Sequence, residues 1–168
     1  MAKKSPAKLT KITVSLPFGI GKFEWTEDPV ERKCAWELYV ELVTRVSVQR
    51  LSADQGSIRE ALSSLYSLFA SARNILRQAG PDVAKAGVHS VGGIAIRVLN
   101  EGLRPFLSKW HIALSDWEAK RLDDGSIIDH ESTWPLADAF RADLGRLREE
   151  LETYADALGK IAGVKETS

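Results

Sequence analysis

Residues 137–161, ADAFRADLGRLREELETYADALGKI, hold the most regular pattern in this chain of 168 residues. Apolar side chains recur every three or four positions, at Ala137, Phe140, Leu144, Leu147, Leu151, Tyr154, Leu158 and Ile161. This spacing places them on one face of an α-helix. Because other elements must cover so long an apolar face, the pattern predicts a long helix within a mainly helical domain.

Two capping signals predict helices earlier in the chain. In residues 28–31, DPVE, the aspartate is a side-chain acceptor at an N-cap, the proline takes the first helical position, and the glutamate can return the capping bond. We expect this helix to run to about Leu51. In residues 57–60, SIRE, serine and glutamate form a second capping box, and Gly80 and Pro81 end that helix. Helical stripes follow both signals, through Ala35, Tyr39, Leu42 and Val46 in the first helix and through Ile58, Leu62, Leu65, Phe69, Ala72, Ile75 and Leu76 in the second.

A third long stripe crosses a proline. It consists of Val91, Ala95, Val98, Gly102, Phe106, Trp110, Leu114 and Trp117. The stripe stays in phase across Pro105, although proline removes a backbone hydrogen bond, so we predict one kinked helix rather than two. Residues 81–89 are small and include a glycine, and we expect one short turn of helix there. The polar composition of residues 122–133 predicts a surface loop.

The N-terminal part of the chain has the two-residue period of strands. Apolar residues alternate with polar ones at Ile12, Val14 and Leu16, and again at Phe23 and Trp25, on either side of turn residues 17–21. Residues 1–8 are basic and predict a mobile tail, and residues 9–168 predict a single domain. Together the elements predict an all-α fold in the main, a four-helix bundle with a short N-terminal β-hairpin.

The composition limits the classes of partner and of chemistry. The 23 lysines and arginines equal the 23 aspartates and glutamates, so no overall positive charge attracts the chain to nucleic acid or an anionic membrane. Cys34 is the single cysteine, which excludes an intramolecular disulfide and multi-cysteine metal sites. The sequence has neither a secretory signal nor an apolar run long enough to span a bilayer, and we expect a cytoplasmic protein.

The familiar catalytic patterns are missing. Residues 19–22, GIGK, lack the fuller glycine spacing of a phosphate loop and are better interpreted as a turn. No two of His89, His111 and His130 have metal-ligand spacing, and a site built from His111 with His130 and Glu131 would need distant elements to meet. Hydrogen-bonded histidines are the preferred interpretation. We therefore predict no enzyme, no catalytic residue, no cofactor and no metal ligand.

Residues 100–111, NEGLRPFLSKWH, form the most unusual segment. A proline kink frees a backbone carbonyl, which a neighbouring polar side chain either satisfies or leaves for a ligand; we favour the structural use. Exposed tryptophan and arginine would instead mark a binding surface. The candidate residues for binding a partner or ligand are Asn100, Arg104, Lys109, Trp110, His111 and Trp117.

Residues 35–45, AWELYVELVTR, residues 59–66, REALSSLY, and residues 99–118 resemble a group of small helical bacterial proteins. The resemblance covers most of the chain. It implies a place in bacterial conflict and anti-phage gene neighbourhoods, where such a protein serves as the partner of a separate effector. It carries over no catalytic or binding residue.

The leading functional hypothesis is a non-enzymatic helical interaction or adapter protein that binds a protein partner or itself. A nucleic-acid accessory protein is the first alternative. It would use the basic tail and, if folding gathers them, the scattered arginines Arg45, Arg50, Arg59, Arg73, Arg77, Arg97 and Arg104. An enzyme or a small-ligand binder with a pocket inside the bundle, near Asn100, Arg104 and His111, is the second. Steep salt dependence would distinguish phosphate binding from an aromatic-centred protein interface.

Overall fold

The computed structural model describes residues 10–45, 57–122 and 124–165. It is mainly helical with a two-stranded antiparallel hairpin, which confirms the predicted helical content and the hairpin. The strands are β1 (Lys11–Leu16) and β2 (Gly21–Thr26), and the helices are α1 (Pro29–Val43), α2 (Ile58–Ala79), α3 (Val91–Arg97), α4 (Arg104–Glu118), α5 (Ile127–Ser132) and α6 (Ala137–Ala162). The predicted tail, residues 1–8, lies outside the described residues.

The buried residues form one cluster to which the hairpin and all the long helices contribute. Helix α1 packs against α6 and α2, β1 packs against α6, and α2 packs against α4. The inward positions of the hairpin are Val14, Phe23 and Trp25, as the alternating pattern predicts. No helix in the described part of the chain is both long and apolar enough to cross a membrane.

A π-helical segment, Val98–Leu103, joins α3 to α4 without a break. Pro105 has no N–H to donate, and just before it the Arg104 N–H bonds to the Leu99 carbonyl, five residues back. A wider turn of this kind accommodates the proline within a continuous helix. The prediction of a single helical run is confirmed. Residues 91–118 are called the rod below.

The hairpin turn lies against the rod and against α6. Phe18 has a positive φ of 55°, and its N–H donates a hydrogen bond of 2.6 Å to the Glu150 carboxylate. Its ring covers Gly102 so closely that a Cβ there would lie 2.4 Å from the ring. Only glycine fits at position 102 without displacing the turn, so the hairpin fixes the back of the rod.

The start of α1 confirms the predicted cap but not the role of its glutamate. The Asp28 carboxylate accepts from the Val30 and Glu31 N–H groups at 2.9 and 3.0 Å. Glu31 does not return the capping bond. It is buried, and its Oε2 accepts from the Trp25 indole at 2.9 Å and from the Val91 N–H at 3.2 Å. The glutamate therefore joins the hairpin, α1 and the rod.

Helix α1 ends earlier than predicted. It stops at Val43, and the Thr44 hydroxyl donates to the Val40 carbonyl at 2.7 Å, a local bond that competes with further helix. Residues 46–56, which include the predicted end near Leu51, lie outside the described residues.

The predicted loop, residues 122–133, contains a short helix, α5. Ser126 is its N-cap and accepts from the Asp129 N–H at 3.3 Å, a signal that was overlooked in a polar segment. The Glu131 carboxylate accepts from the N–H groups of Ile58 and Arg59, at 2.7 and 3.2 Å. A helix this short is marginal alone, and these contacts with the start of α2 help to stabilise it.

Candidate functional site

A long groove runs between α2 and the rod. It consists of two adjoining cavities of about 550 and 250 Å³. Both cavities are lined by Phe69, Arg73 and Arg104, so they form one continuous surface. Along α2 the groove extends from Tyr66 to Gly80, which is about 21 Å at the helical rise of 1.5 Å per residue.

The floor of the groove is apolar. Its residues are Phe69, Leu76, Val83, Ile96 and Leu99. Gly92 belongs to the same wall, and a Cβ there would lie 2.7 Å from the Val83 carbonyl oxygen. Because the turn at residues 81–84 packs directly on α3, the floor is closed at this end.

Three arginines line the groove. Arg73, Arg77 and Arg104 are exposed, and none of them forms an ion pair with any carboxylate in residues 10–45, 57–122 and 124–165. Arg77 donates only a long bond, 3.4 Å, to the Asn74 side-chain oxygen. The groove is therefore a concentrated positive surface on a chain with no net charge.

Arg104 is oriented by contacts on both sides of the groove. Its Nε and Nη2 donate to the Asn100 Oδ1 at 3.2 and 3.0 Å. Its guanidinium carbon also lies 5.2 Å from the centre of the Phe69 ring, a cation–π contact. These contacts orient the guanidinium group without neutralising it, since both partners are uncharged.

Other arginines of the predicted basic set are neutralised within the fold. Arg45 pairs with Glu41, Arg59 with Glu118, and Arg97 with Glu101. The hydrogen bond from Arg97 lowers the pKa of Glu101 and raises that of Arg97. Folding thus gathers three of the seven arginines in the groove and pairs three with carboxylates. Arg50 lies outside the described residues.

The candidate residues Lys109 and Trp110 lie on another side of the rod. Trp110 is only 2% exposed and meets Trp134 and Phe140 edge-on, with ring centres 5.8 and 5.3 Å apart. The Asp143 carboxylate accepts from the Lys109 ammonium at 2.7 Å and from the Trp110 indole at 3.1 Å. The ring of Trp110 is therefore covered by Trp134 and by Phe140 of α6, and its part in binding a partner stays a prediction.

The candidates His111 and Trp117 are also separate from the groove. His111 is exposed, with its Nδ1 3.4 Å from the Arg59 guanidinium. Trp117 is partly buried, stacks on His130 at 4.6 Å between ring centres, and donates from its indole to the His130 carbonyl. His130 is held by these ring and backbone contacts. Within the described ranges, no group of three or more histidine, cysteine, aspartate or glutamate side chains is placed to hold a metal ion.

Of the six candidates, only Asn100 and Arg104 line the groove. The sequence interpretation named Arg73 and Arg77 only within the arginine set of the nucleic-acid alternative, although a more specific signal for them exists. Residues 61–79 contain no aspartate or glutamate, so neither arginine has an acidic neighbour three or four positions away within α2. A helix with arginines and no acids leaves those charges for another molecule unless a neighbouring element neutralises them.

No protein-family model, curated protein or solved structure matches the chain. The arginine-lined groove is the feature from which a function is inferred below.

Proposed function

We propose that this chain is a non-catalytic interaction protein whose groove binds an acidic segment of a partner protein. The observation that supports this most directly is the group of three unpaired arginines, Arg73, Arg77 and Arg104, around an apolar floor. Arginine binds carboxylates with two parallel hydrogen bonds, and apolar side chains of the same segment can occupy the floor. The leading hypothesis from the sequence is thereby kept, with its binding surface moved from Trp110 to the groove.

The shape and chemistry of the groove favour a peptide segment over a reaction site. A length of about 21 Å accommodates roughly six extended residues at 3.3–3.6 Å each. Guanidinium groups stay protonated at every physiological pH, so they hold an anion without exchanging protons with it. The overall charge is zero and Arg45, Arg59 and Arg97 are paired, so the basic surface is local, which favours an acidic segment over a long nucleic acid.

We also propose that the long helical elements form the four-helix bundle predicted from the sequence. Its members are α1, α2, the rod and α6. The packing of α1 on α6 and α2, and of α2 on α4, supports this arrangement. In such a bundle the groove is the outer surface between two neighbouring helices, a place where helical proteins receive partner segments.

The proposed cellular role comes from the family resemblance. On that basis the chain acts in the cytoplasm as an accessory component of a bacterial defence system, and the acidic segment belongs to a separate effector protein. The reduced, buried Cys34 is compatible with a reducing compartment. The resemblance itself stays a prediction.

The test compares two triple variants with equal changes in charge. One is Arg73→Gln with Arg77→Gln and Arg104→Gln. The control is Lys11→Gln with Lys33→Gln and Arg146→Gln, at side chains 63%, 79% and 72% exposed and outside the groove. The probes are array peptides that combine glutamate with leucine or phenylalanine, and the best binder is measured by fluorescence anisotropy. We expect the groove variant to lose about tenfold or more in affinity, or 1.4 kcal/mol, and the control less than about threefold.

Each other outcome contradicts the proposal in a distinct way. Equal losses in both triple variants would indicate unspecific attraction of charge. Tighter, groove-dependent binding of a single-stranded oligonucleotide, with a steep dependence on salt, would favour the nucleic-acid alternative. Concentration-dependent self-association that the groove variant abolishes would identify a second copy of the chain as the occupant. Failure of every peptide to bind the unmodified protein would reject the proposal outright.

A further inference from the structure

The pairing of Asn100 with Arg104 leaves a particular edge of the guanidinium group available. A guanidinium group has five N–H donors in a planar fork. The Nε and one N–H of Nη2 are directed at the Asn100 oxygen, at 3.2 and 3.0 Å. Among the described residues, the edge formed by Nη1 and the second N–H of Nη2 has no hydrogen-bond partner, and this edge can bind a carboxylate through two parallel hydrogen bonds.

The same rod contains a second pair with the same four-residue spacing and a different partner. Arg97 donates to Glu101 from its Nε and Nη2, at 3.0 and 3.1 Å, so the two arginines are held in the same way. The difference is the charge of the acceptor. Glu101 neutralises Arg97, whereas the amide of Asn100 orients Arg104 and leaves its charge for another molecule.

A second contact restrains the plane of the Arg104 fork. The guanidinium carbon lies 5.2 Å from the centre of the Phe69 ring, across the groove on α2. Arg104 therefore has an uncharged partner on each helix that borders the groove. The apolar Ile96 and Leu99 line the same cavity as Asn100 and Arg104. A carboxylate bound to the free edge would bring its neighbouring side chain close to this apolar surface.

We infer that Asn100 is a positioning residue that sets the specificity of the groove, by aiming the Nη1–Nη2 edge of Arg104 at one carboxylate of the partner. The recognised unit is an acidic residue next to a large apolar one. This inference rests on the proposed function. It adds that the oriented contact is the one between Arg104 and a carboxylate of the partner, and that Asn100 orients it. Asn100 acts through Arg104, and its neutral amide is the property that matters.

Two substitutions of Asn100 distinguish the effect of orienting Arg104 from the effect of leaving its charge unpaired. Asn100→Asp keeps the shape but adds a charge that pairs with Arg104 and repels an acidic ligand. We expect it to weaken binding of the best array peptide about tenfold and to reduce the dependence of affinity on salt. Asn100→Ala keeps the charge of Arg104 but frees its side chain. We expect a smaller loss, about threefold, with unchanged salt dependence.

A double-mutant cycle provides the control for an indirect structural effect. In an Arg104→Gln background, Asn100→Ala should have no further effect on affinity, because the group that it positions is gone. Asn100 is exposed, so we expect both single variants to melt at the temperature of the unmodified protein. Moving the leucine of the peptide away from the glutamate should also weaken binding to the unmodified protein.

The outcomes distinguish this inference from the proposed function. If both variants lose affinity equally with the same salt dependence, or if Asn100→Ala acts equally in the Arg104→Gln background, the positioning role is wrong. The comparison of triple variants would still support the groove in that case. If the unmodified protein binds no acidic peptide, the proposed function fails and the role of Asn100 fails with it.

Discussion

Two cations on the rod, Arg104 and Lys109, are five residues apart, but one contacts uncharged groups and the other a carboxylate. Lys109 meets the Asp143 carboxylate of α6, whose pKa it lowers by donating a hydrogen bond. Arg104 faces α2, where its guanidinium group contacts the Phe69 ring, and it donates to the Asn100 amide. The two cations differ because different helices pack opposite them. Helix α2, opposite Arg104, has no acidic residue after Glu60, whereas α6 provides Asp143 for Lys109. The contact between α4 and α6 is complete within the fold, whereas the groove has unused charge.

This comparison predicts that the two regions respond to different measurements. Substitutions at the contact between α4 and α6 should change the free energy of unfolding. Substitutions in the groove should change binding and leave stability nearly unaltered.

The largest effect is expected for Trp110→Ala. Its ring is buried among Trp134 and Phe140, so we expect the free energy of unfolding to fall by about 3–5 kcal/mol, measured by urea denaturation. Arg104→Gln, at an exposed site, should change it by less than about 0.5 kcal/mol. A Trp110→Ala protein of normal stability with weakened peptide binding would reverse the assignment of the two regions.

Gly102→Ala tests the contact that holds the back of the rod. A methyl group there would lie 2.4 Å from the Phe18 ring, and we expect a loss of about 1–3 kcal/mol in the free energy of unfolding. The loss should shrink when Phe18 is also replaced by alanine, since the two changes are coupled. Gly145→Ala in α6 is the matched control. Nothing lies within 4 Å of a Cβ there, so we expect a gain of up to about 1 kcal/mol. Equal effects of both glycine substitutions would contradict the proposed contact.

Glu31 is the reverse of the groove, because it is a buried carboxylate that forms no ion pair within the part of the chain that the structure describes. Glu31→Ala would leave the Trp25 indole and the Val91 N–H without an acceptor. We expect a loss of about 1–3 kcal/mol in the free energy of unfolding. Glu31→Gln keeps an oxygen for both donors and removes the buried charge, so we expect it to be far less destabilising at neutral pH.

The raised pKa of Glu31 also predicts the direction in which the free energy of unfolding changes with pH. Burial raises the pKa of Glu31 above its usual 4.5, while the neighbouring Asp28 also raises it and Lys85 lowers it. The folded state then binds the proton more tightly, so this contribution to stability is present below pH 4.5 and is lost as pH rises through the folded pKa. Urea denaturation from pH 4 to 7 should show this decline in the unmodified protein and not in Glu31→Gln. A decline that persists in Glu31→Gln would assign it to another group.

The smallest effect is expected for Asp143→Asn. It removes the ion pairs of Asp143 with Lys109 and Arg146, which lie at the surface, so the loss in the free energy of unfolding should be about 0.2–1 kcal/mol. Because the pKa of Asp143 is lowered in the fold, its contribution is present at neutral pH and is lost as pH falls through the folded pKa. Thermal melts at pH 3 and pH 7 should differ less for Asp143→Asn. No change in that difference would contradict the assignment.

The local features of the fold could be predicted because each follows from neighbours in the sequence. The alternation at Ile12 and Val14 predicted the hairpin, the serine and glutamate of residues 57–60 predicted the start of α2, and the unbroken stripe predicted one helix across Pro105. Asn100 and Arg104 are candidates for another local reason, since a proline in a helix frees a backbone carbonyl that a neighbouring polar side chain can satisfy. In the structure the two side chains bond to each other. The short helix α5 was missed because its residues are mostly polar and its stability comes partly from contacts with α2.

The helical periods, the hairpin, the caps at Asp28 and Ser57 and the absence of acids along residues 61–79 follow from the sequence alone. The packing of the elements on one another determines which charges are neutralised and which aromatic rings are covered. Lys109 and Trp110 are satisfied by Asp143, 33 or more residues away, while Arg73, Arg77 and Arg104 come together from two helices with no acid between them. The physical reason is range: hydrogen bonds within a helix join residues four apart, whereas neutralisation and burial depend on the element that packs opposite.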